Sequence, residues 1–385
     1  MKSGLLAAAL LIVLVPSAFS YAPQSASGAG DFDALSRRAS EALKTNPQEA
    51  ATLYRQGLAL RPSWPEGWFY LGASLFEEKQ YAESRKAFEK AAQLAPTNGS
   101  VWGFLGLCEY QMNDDAQALA DLRKGEAAGL PDDLKFVSAV RNRAAVICIR
   151  SSDFSAAVEQ LQALALLGDK SRETIENLGL STLGIARSLA EMSADKQAVV
   201  ELAGRASWAL YAERSSDASA LFHQLITQYP NEPGVHYLYG IYLLDRDPDG
   251  ATREFRKELQ ITPSHVPARL QIAILDIKAG DAGAALKLAE EAIKLQPANP
   301  LAHAVAGRAF AHQERFDKAI AELETAVKLA PENAQLHFSL AQAYRRLGRT
   351  ADAEKEVAEF NRLKPARNAM LMPEQDDAPD RGIKR

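Results

Sequence analysis

Cysteine is nearly missing from this chain: Cys108 and Cys148 are the only two in 385 residues. Two widely separated thiols without a C-x-x-C supply neither a zinc site nor a disulfide framework. Histidine is scarce too, with six in all, and none stands in H-E-x-x-H. The nearest stretch, His312-Gln313-Glu314-Arg315, lacks both the adjacent Glu and the second His that metal-assisted hydrolysis needs. No glycine-rich phosphate loop and no G-x-S-x-G elbow occurs. The carboxylate pairs Glu77-Glu78 and Asp114-Asp115 fall near helix ends or turns, where solvation accounts for them. No catalytic residue, cofactor or metal is therefore expected. A basic surplus is also lacking. With 44 Lys and Arg against 49 Asp and Glu, the net charge of -5 provides no field that would draw the chain onto nucleic acid or anionic lipid.

Long apolar runs are absent after the N-terminus, so no later segment is expected to cross a membrane, which takes roughly 20 apolar residues. At the N-terminus, Lys2 precedes the apolar run Leu5 to Val15, Pro16 ends it, and Ala18 and Ser20 fit a cleavage site before Tyr21. Residues 1–20 read as a signal peptide, and the chain as exported, periplasmic or secreted. An N-terminal membrane anchor is the alternative if the segment stays uncleaved. Residues 21–30 read as a flexible linker and 368–385 as a disordered polar tail.

What the sequence has in abundance is periodicity. Pro62 and Pro96 stand 34 residues apart, and Pro263, Pro297, Pro331 and Pro365 continue at that interval. Such a period marks a solenoid. Each period reads as two amphipathic helices. Gly or Ala stands at the eighth place (Gly72, Gly240, Gly307), a small residue at the twentieth (Ala118, Ala251, Ala319) and a large one at the twenty-fourth (Phe88, Phe255, Leu323). Proline at the thirty-second place stops the second helix. Ala319 is thus expected in a packed seam, and Glu322 on a wet face where Ala would be harmless.

This pattern resembles the tetratricopeptide repeat: aromatic, Leu-Gly, aromatic, Ala, Phe, Ala and Pro, as in residues 65–98. Nine copies are legible, at 31–64, 65–98, 99–132, 138–171, 199–232, 233–265, 266–299, 300–333 and 334–367. The resemblance implies an all-α, right-handed α-solenoid. Residues 31–171 form an N-terminal block of four copies and 199–367 a C-terminal block of five. Between them, 172–198 carry an extra helix through Ile175, Leu178, Leu183, Ala186 and Leu189, read as packed within one continuous superhelix or as a joint between two arms.

His236, His303 and His337 share the fourth place with Trp68 and Trp102, which makes packing their expected role. Cys108 and Cys148 lie on successive first helices. Helix axes stand about 8–10 Å apart and a disulfide needs Cα atoms within about 7 Å, so two free buried thiols are expected.

The resemblance further implies that the first helix of each repeat lines a concave groove. Its groove places carry Phe69, Ala73 and Phe76; Leu107 and Tyr110; Asn142, Val146 and Ile149; Tyr237, Ile241 and Leu244; Leu270, Ile274 and Ile277; Arg308 and His312; and Phe338, Gln342, Arg345 and Arg346. The Lys-Asn clamp that holds C-terminal carboxylates in this family is not present. The function implied is a non-enzymatic scaffold that holds a peptide or helix of a protein partner in that groove. Self-assembly through the groove or an end repeat, or an enzyme subunit with an unfamiliar site, are the alternatives.

Overall fold

The computed structural model describes residues 29–363, and no strand occurs among them. Nineteen helices follow one another: α1 (Ala29–Ala42) and α2 (Pro47–Leu60), α3 (Pro65–Glu77) and α4 (Tyr81–Leu94), α5 (Gly99–Gln111) and α6 (Asp115–Ala128), α7 (Leu134–Arg150) and α8 (Phe154–Leu166), then α9 (Arg172–Thr182), α10 (Ala194–Tyr211) and α11 (Ser215–Gln228). After these come α12 (Val235–Leu243) and α13 (Pro248–Ile261), α14 (Val266–Lys278) and α15 (Ala282–Leu295), α16 (Pro300–His312) and α17 (Phe316–Leu329), α18 (Ala334–Arg346) and α19 (Thr350–Leu363). The chain is an all-α array of helix hairpins. It divides between Pro230 and Asn231 into two units. The residues expected to form the signal peptide and the tail lie outside the described part, whereas α1 begins inside the expected linker, at Ala29.

The repeat places show why these residues make hairpins. Asn46, Asn98, Asn299 and Asn333 cap helix starts by accepting backbone N–H groups that would otherwise lack a partner. The twentieth and twenty-fourth places are sealed: Ala118, Ala251, Ala319, Phe88 and Phe255 are all fully buried. Each such Phe contributes roughly 2–3 kcal/mol by leaving water. The eighth place is small for a more specific reason than backbone approach. A Cβ on Gly72 would lie 2.9 Å from the Phe88 ring, and one on Gly240 2.4 Å from the Phe255 ring. Glycine leaves the space that the large side chain of its own hairpin fills.

A recurring clasp joins consecutive hairpins. Trp68 and Trp102 donate their indole N–H groups to the carbonyls of Pro62 and Pro96, each at 2.8 Å. Arg269 donates to the Pro263 carbonyl at 2.8 Å, and the Nε2 atoms of His303 and His337 donate to those of Pro297 and Pro331 at 2.9 Å. The fourth place thus satisfies a carbonyl in the turn that precedes its helix. On the other ring edge, Nδ1 of His236, His303 and His337 meets Glu254, Glu322 and Glu356 at 2.5, 2.7 and 2.6 Å. Glu322 therefore does not stand idle on a wet face, as its place in the period implies; it holds His303.

In the first unit, α9 packs against α8 and α10. The helix expected across 172–198 is shorter than its apolar spacing implies. It stops at Thr182, and Gly184 turns the chain away with φ of +68°. Ala186 and Leu189 lie beyond it. The α9–α10 crossing is close because both contact points are glycine: a Cβ on Gly179 or Gly204 would stand 1.9 Å from the carbonyl of Val200 or Ile175. A buried polar network ties α7 to α9. Asn142 donates to Thr174 at 2.9 Å and accepts from Asn177 at 3.0 Å, while Ser138 and Thr174 donate to Asp169 at 2.6 and 2.8 Å.

Candidate functional site

The first helix of each hairpin carries the expected groove, and the two units treat it differently. In the first unit most groove places are closed. Phe69 is 3% exposed and packs with Ala73, Leu107, Phe88, Phe104 and Phe136 in one core cluster. Phe88 and Phe104 stack at 5.2 Å, with Phe69 edge-on to both at 5.6 Å. Asn142 and Ile149 are buried as well, Asn142 in the network described above. Phe76 and Tyr110 are half-buried but engaged. Phe76 packs edge-on against Tyr81 at 5.3 Å, and the Tyr110 hydroxyl accepts from Arg150 at 2.8 Å while Arg143 lies over its ring. Phe69 is therefore not a surface anchor.

In the second unit the fifth place is mixed: Leu270 is 1% exposed and belongs to the cluster around Val266 and Ala302, whereas Tyr237 and Phe338 are half-buried. Tyr237 is half-buried against Phe255 and His265, and burial pushes its hydroxyl up to about 12, opposed by a hydrogen bond with Gln271. Phe338 leans on Phe360 at 5.3 Å.

At the ninth place none of the four side chains is sealed. Ile241, Ile274 and Arg308 are half-buried and Gln342 is exposed, one from each of α12, α14, α16 and α18. Leu244, half-buried, stands three residues beyond Ile241. At the thirteenth place Asp245, Lys278, His312 and Arg346 are all exposed. Lys278 escapes a reading of the twelfth place of its copy, where Ile277 is 3% exposed. The signal that could have found it is register with His312 and Arg346. Lys278, Arg308, Arg345 and Arg346 have no carboxylate partner among the described residues. The side formed by the first helices of the hairpins, the helix-A side, thus carries apolar side chains on α12 and α14 of this unit and cationic ones from the end of α14 to α18. Positive groups at helix C-termini also complement the helix dipole.

Chemistry of another kind is sparse. No group of three His, Cys, Asp or Glu could hold a metal ion among the described residues, and no described helix is long and apolar enough to cross a membrane.

Hairpins of this length, stacked through small residues and closed by proline, define a helical-repeat solenoid. Residues 65–98 and 270–324 match the family described as tetratricopeptide repeat, and residues 307–348 the one described as TPR repeat. The chain thus carries tetratricopeptide repeats at these residues. The first match coincides with the second copy expected from the sequence. Among curated proteins, the human Protein O-mannosyl-transferase TMTC3 is 23% identical over 269 residues, or 65% of this chain; the chain spans 28% of that relative's length. Among solved structures, MamA 41-end from Desulfovibrio magneticus RS-1 is 22% identical, with a TM-score of 0.39 over 44% of this chain and 97% of its own. A second MamA crystal structure is 17% identical, with a TM-score of 0.38 over 46% of this chain and 99% of its own.

Proposed function

We propose that this chain is a non-enzymatic, exported scaffold that binds a segment of a protein partner along the helix-A face of its second unit. The observation that carries the reading is the ninth-place row, Ile241, Ile274, Arg308 and Gln342, whose side chains are not sealed in the core. Apolar side chains left at a surface and rimmed by charge favour association. A segment presenting apolar residues to Ile241, Leu244 and Ile274 and acidic residues to Lys278, Arg308, Arg345 and Arg346 would match the row. Unpaired guanidinium groups give the strongest, most directional bonds to carboxylates. Export through residues 1–20 belongs to the same proposal and would put the partner outside the cytoplasm.

Affinity capture with the wild-type chain and with an Ile241→Ala, Ile274→Ala, Arg345→Ala variant tests it. A partner held by the first and lost by the second, with unchanged circular dichroism, supports recognition on this face. Equal retention by both baits moves the site elsewhere. Concentration-dependent light scattering without any partner replaces the reading with self-assembly.

A further inference from the structure

One charged cluster lies apart from the helix-A face of the second unit. In the first unit, α4, α5 and α6 line an open cleft of about 530 Å³ walled by charged side chains and by Trp102. Four carboxyls line it (Glu89, Glu109, Asp114 and Asp121) against two cations, Arg85 and Lys124. Both cations are engaged: Arg85 with Glu89 at 2.9 Å and Lys124 with Asp121 at 2.6 Å. Asp121 also accepts from Gln117 at 3.0 Å, and Asp114 caps α6 through the Gln117 backbone N–H. Glu109 is left over. It is 2% exposed, lines the cleft, and its Oε2 has no hydrogen-bond partner. A buried carboxyl oxygen without a hydrogen-bond partner is costly, and native structures seldom keep one without a use. The Lys124 ammonium meanwhile stands 4.5 Å from the Trp102 ring centre, so the aromatic wall already accepts a cation on its face.

We propose that this cleft binds a guanidinium group, its plane against Trp102 and its N–H fork shared between Glu109 and Asp121, with Lys124 withdrawing to solvent. A guanidinium fits better than a compact ammonium because a flat aromatic face and two neighbouring carboxyls suit a planar, multi-donor fork. Lys124 is half-exposed and can leave. Burial, reinforced by Asp121, pushes the Glu109 carboxyl up to about 8, with Asp114 adding to the rise and Arg85 opposing it. At neutral pH Glu109 therefore carries a proton, which it releases when the cation arrives. The inference is independent of the partner face in the second unit.

Calorimetric titration of the full chain with ethylguanidinium, in phosphate and in Tris at equal pH, reads both binding and proton release. The expected result is one site per chain, heats that differ between the buffers, and affinity rising about tenfold from pH 6 to pH 7 as the fraction of ionised Glu109 grows. Lys124→Ala should bind more tightly. Glu109→Gln should bind at least tenfold more weakly and release no proton while remaining folded. A peptide with one internal Arg, titrated alongside, distinguishes the source. Tighter binding of the peptide means that a partner's side chain is the ligand; tighter binding of ethylguanidinium means a free small molecule. No saturation at millimolar ligand in both wild type and Lys124→Ala, or binding indifferent to Glu109→Gln, would overturn the assignment.

Discussion

Glu322 on α17 reaches Nδ1 of His303 on α16 at 2.7 Å, while Nε2 of the same ring donates to the Pro297 carbonyl at 2.9 Å. The ring thus has a partner on each nitrogen. One side chain thereby ties the two helices of its hairpin to the turn before them. The Glu side chain is 30% exposed, so solvent screens the pair, and Glu322→Ala is expected to cost about 1 kcal/mol. Ala319→Glu, three residues earlier in the sealed seam, should cost several kcal/mol. Hydrogen exchange of α16 and α17 would rank the two. A Glu322→Ala variant exchanging at the wild-type rate would mean that the clasp contributes nothing.

The hairpin turn offers a second test. Lys79, Asn113, Ser152, Glu213 and Glu314 all adopt φ near +60°, and Gly280 and Gly348 take the same place in two other copies with φ of +86° and +78°. This conformation costs an L-residue roughly 1 kcal/mol and glycine almost nothing. Glu314→Gly is expected to raise stability by about 0.5–1 kcal/mol and Gly280→Ala to lower it by a similar amount. Urea midpoints from circular dichroism read both, and a loss of stability in Glu314→Gly would contradict the turn assignment.

Glu109 makes stability depend on pH. Its folded value, about 8, exceeds the unfolded value near 4.5. The folded chain keeps a proton that the unfolded chain releases between these limits. The contribution is therefore whole below about pH 4.5 and is lost as pH rises through 8. Glu109→Gln removes that slope, so its stability relative to wild type should rise by roughly 3–4 kcal/mol between pH 5 and pH 8. All four tryptophans lie before Pro230, so their fluorescence in urea reports the first unit alone. An advantage equal at both pH values would refute the shift.

Both cysteines are free and buried. Burial pushes the Cys108 thiol up to about 12 and raises Cys148 as well, with Asp153 adding to the latter. The nucleophile is the thiolate, so both should resist iodoacetamide in the native chain and react once urea unfolds it. Mass spectrometry before and after unfolding measures this; rapid native labelling of Cys108 would contradict its burial.

The hairpins were legible in the sequence because their rules are local. A proline stops a helix wherever it stands, and Gly72 against Phe88 repeats as Gly240 against Phe255. The role of Glu322 was not legible, since its partner depends on which residue the neighbouring helix turns toward it. Nor was the end of α9, where Gly184 looks like any glycine until its positive φ is seen. The groove was legible only in part. The place rule treats every first helix alike, yet Phe69 and Leu270 are sealed by neighbouring copies, whereas Ile241 and Ile274 are not. Exposure belongs to the stacked array, not to the single repeat.

The most direct test of the scaffold reading is photo-crosslinking from single sites. Benzoylphenylalanine would replace Ile274 or Gln342 on the helix-A face and, in matched chains, the exposed Lys287 or Glu290 on α15. One partner band is expected from the first pair of sites and none from the second. Crosslinks of equal yield from both, or from α15 alone, would contradict the scaffold reading.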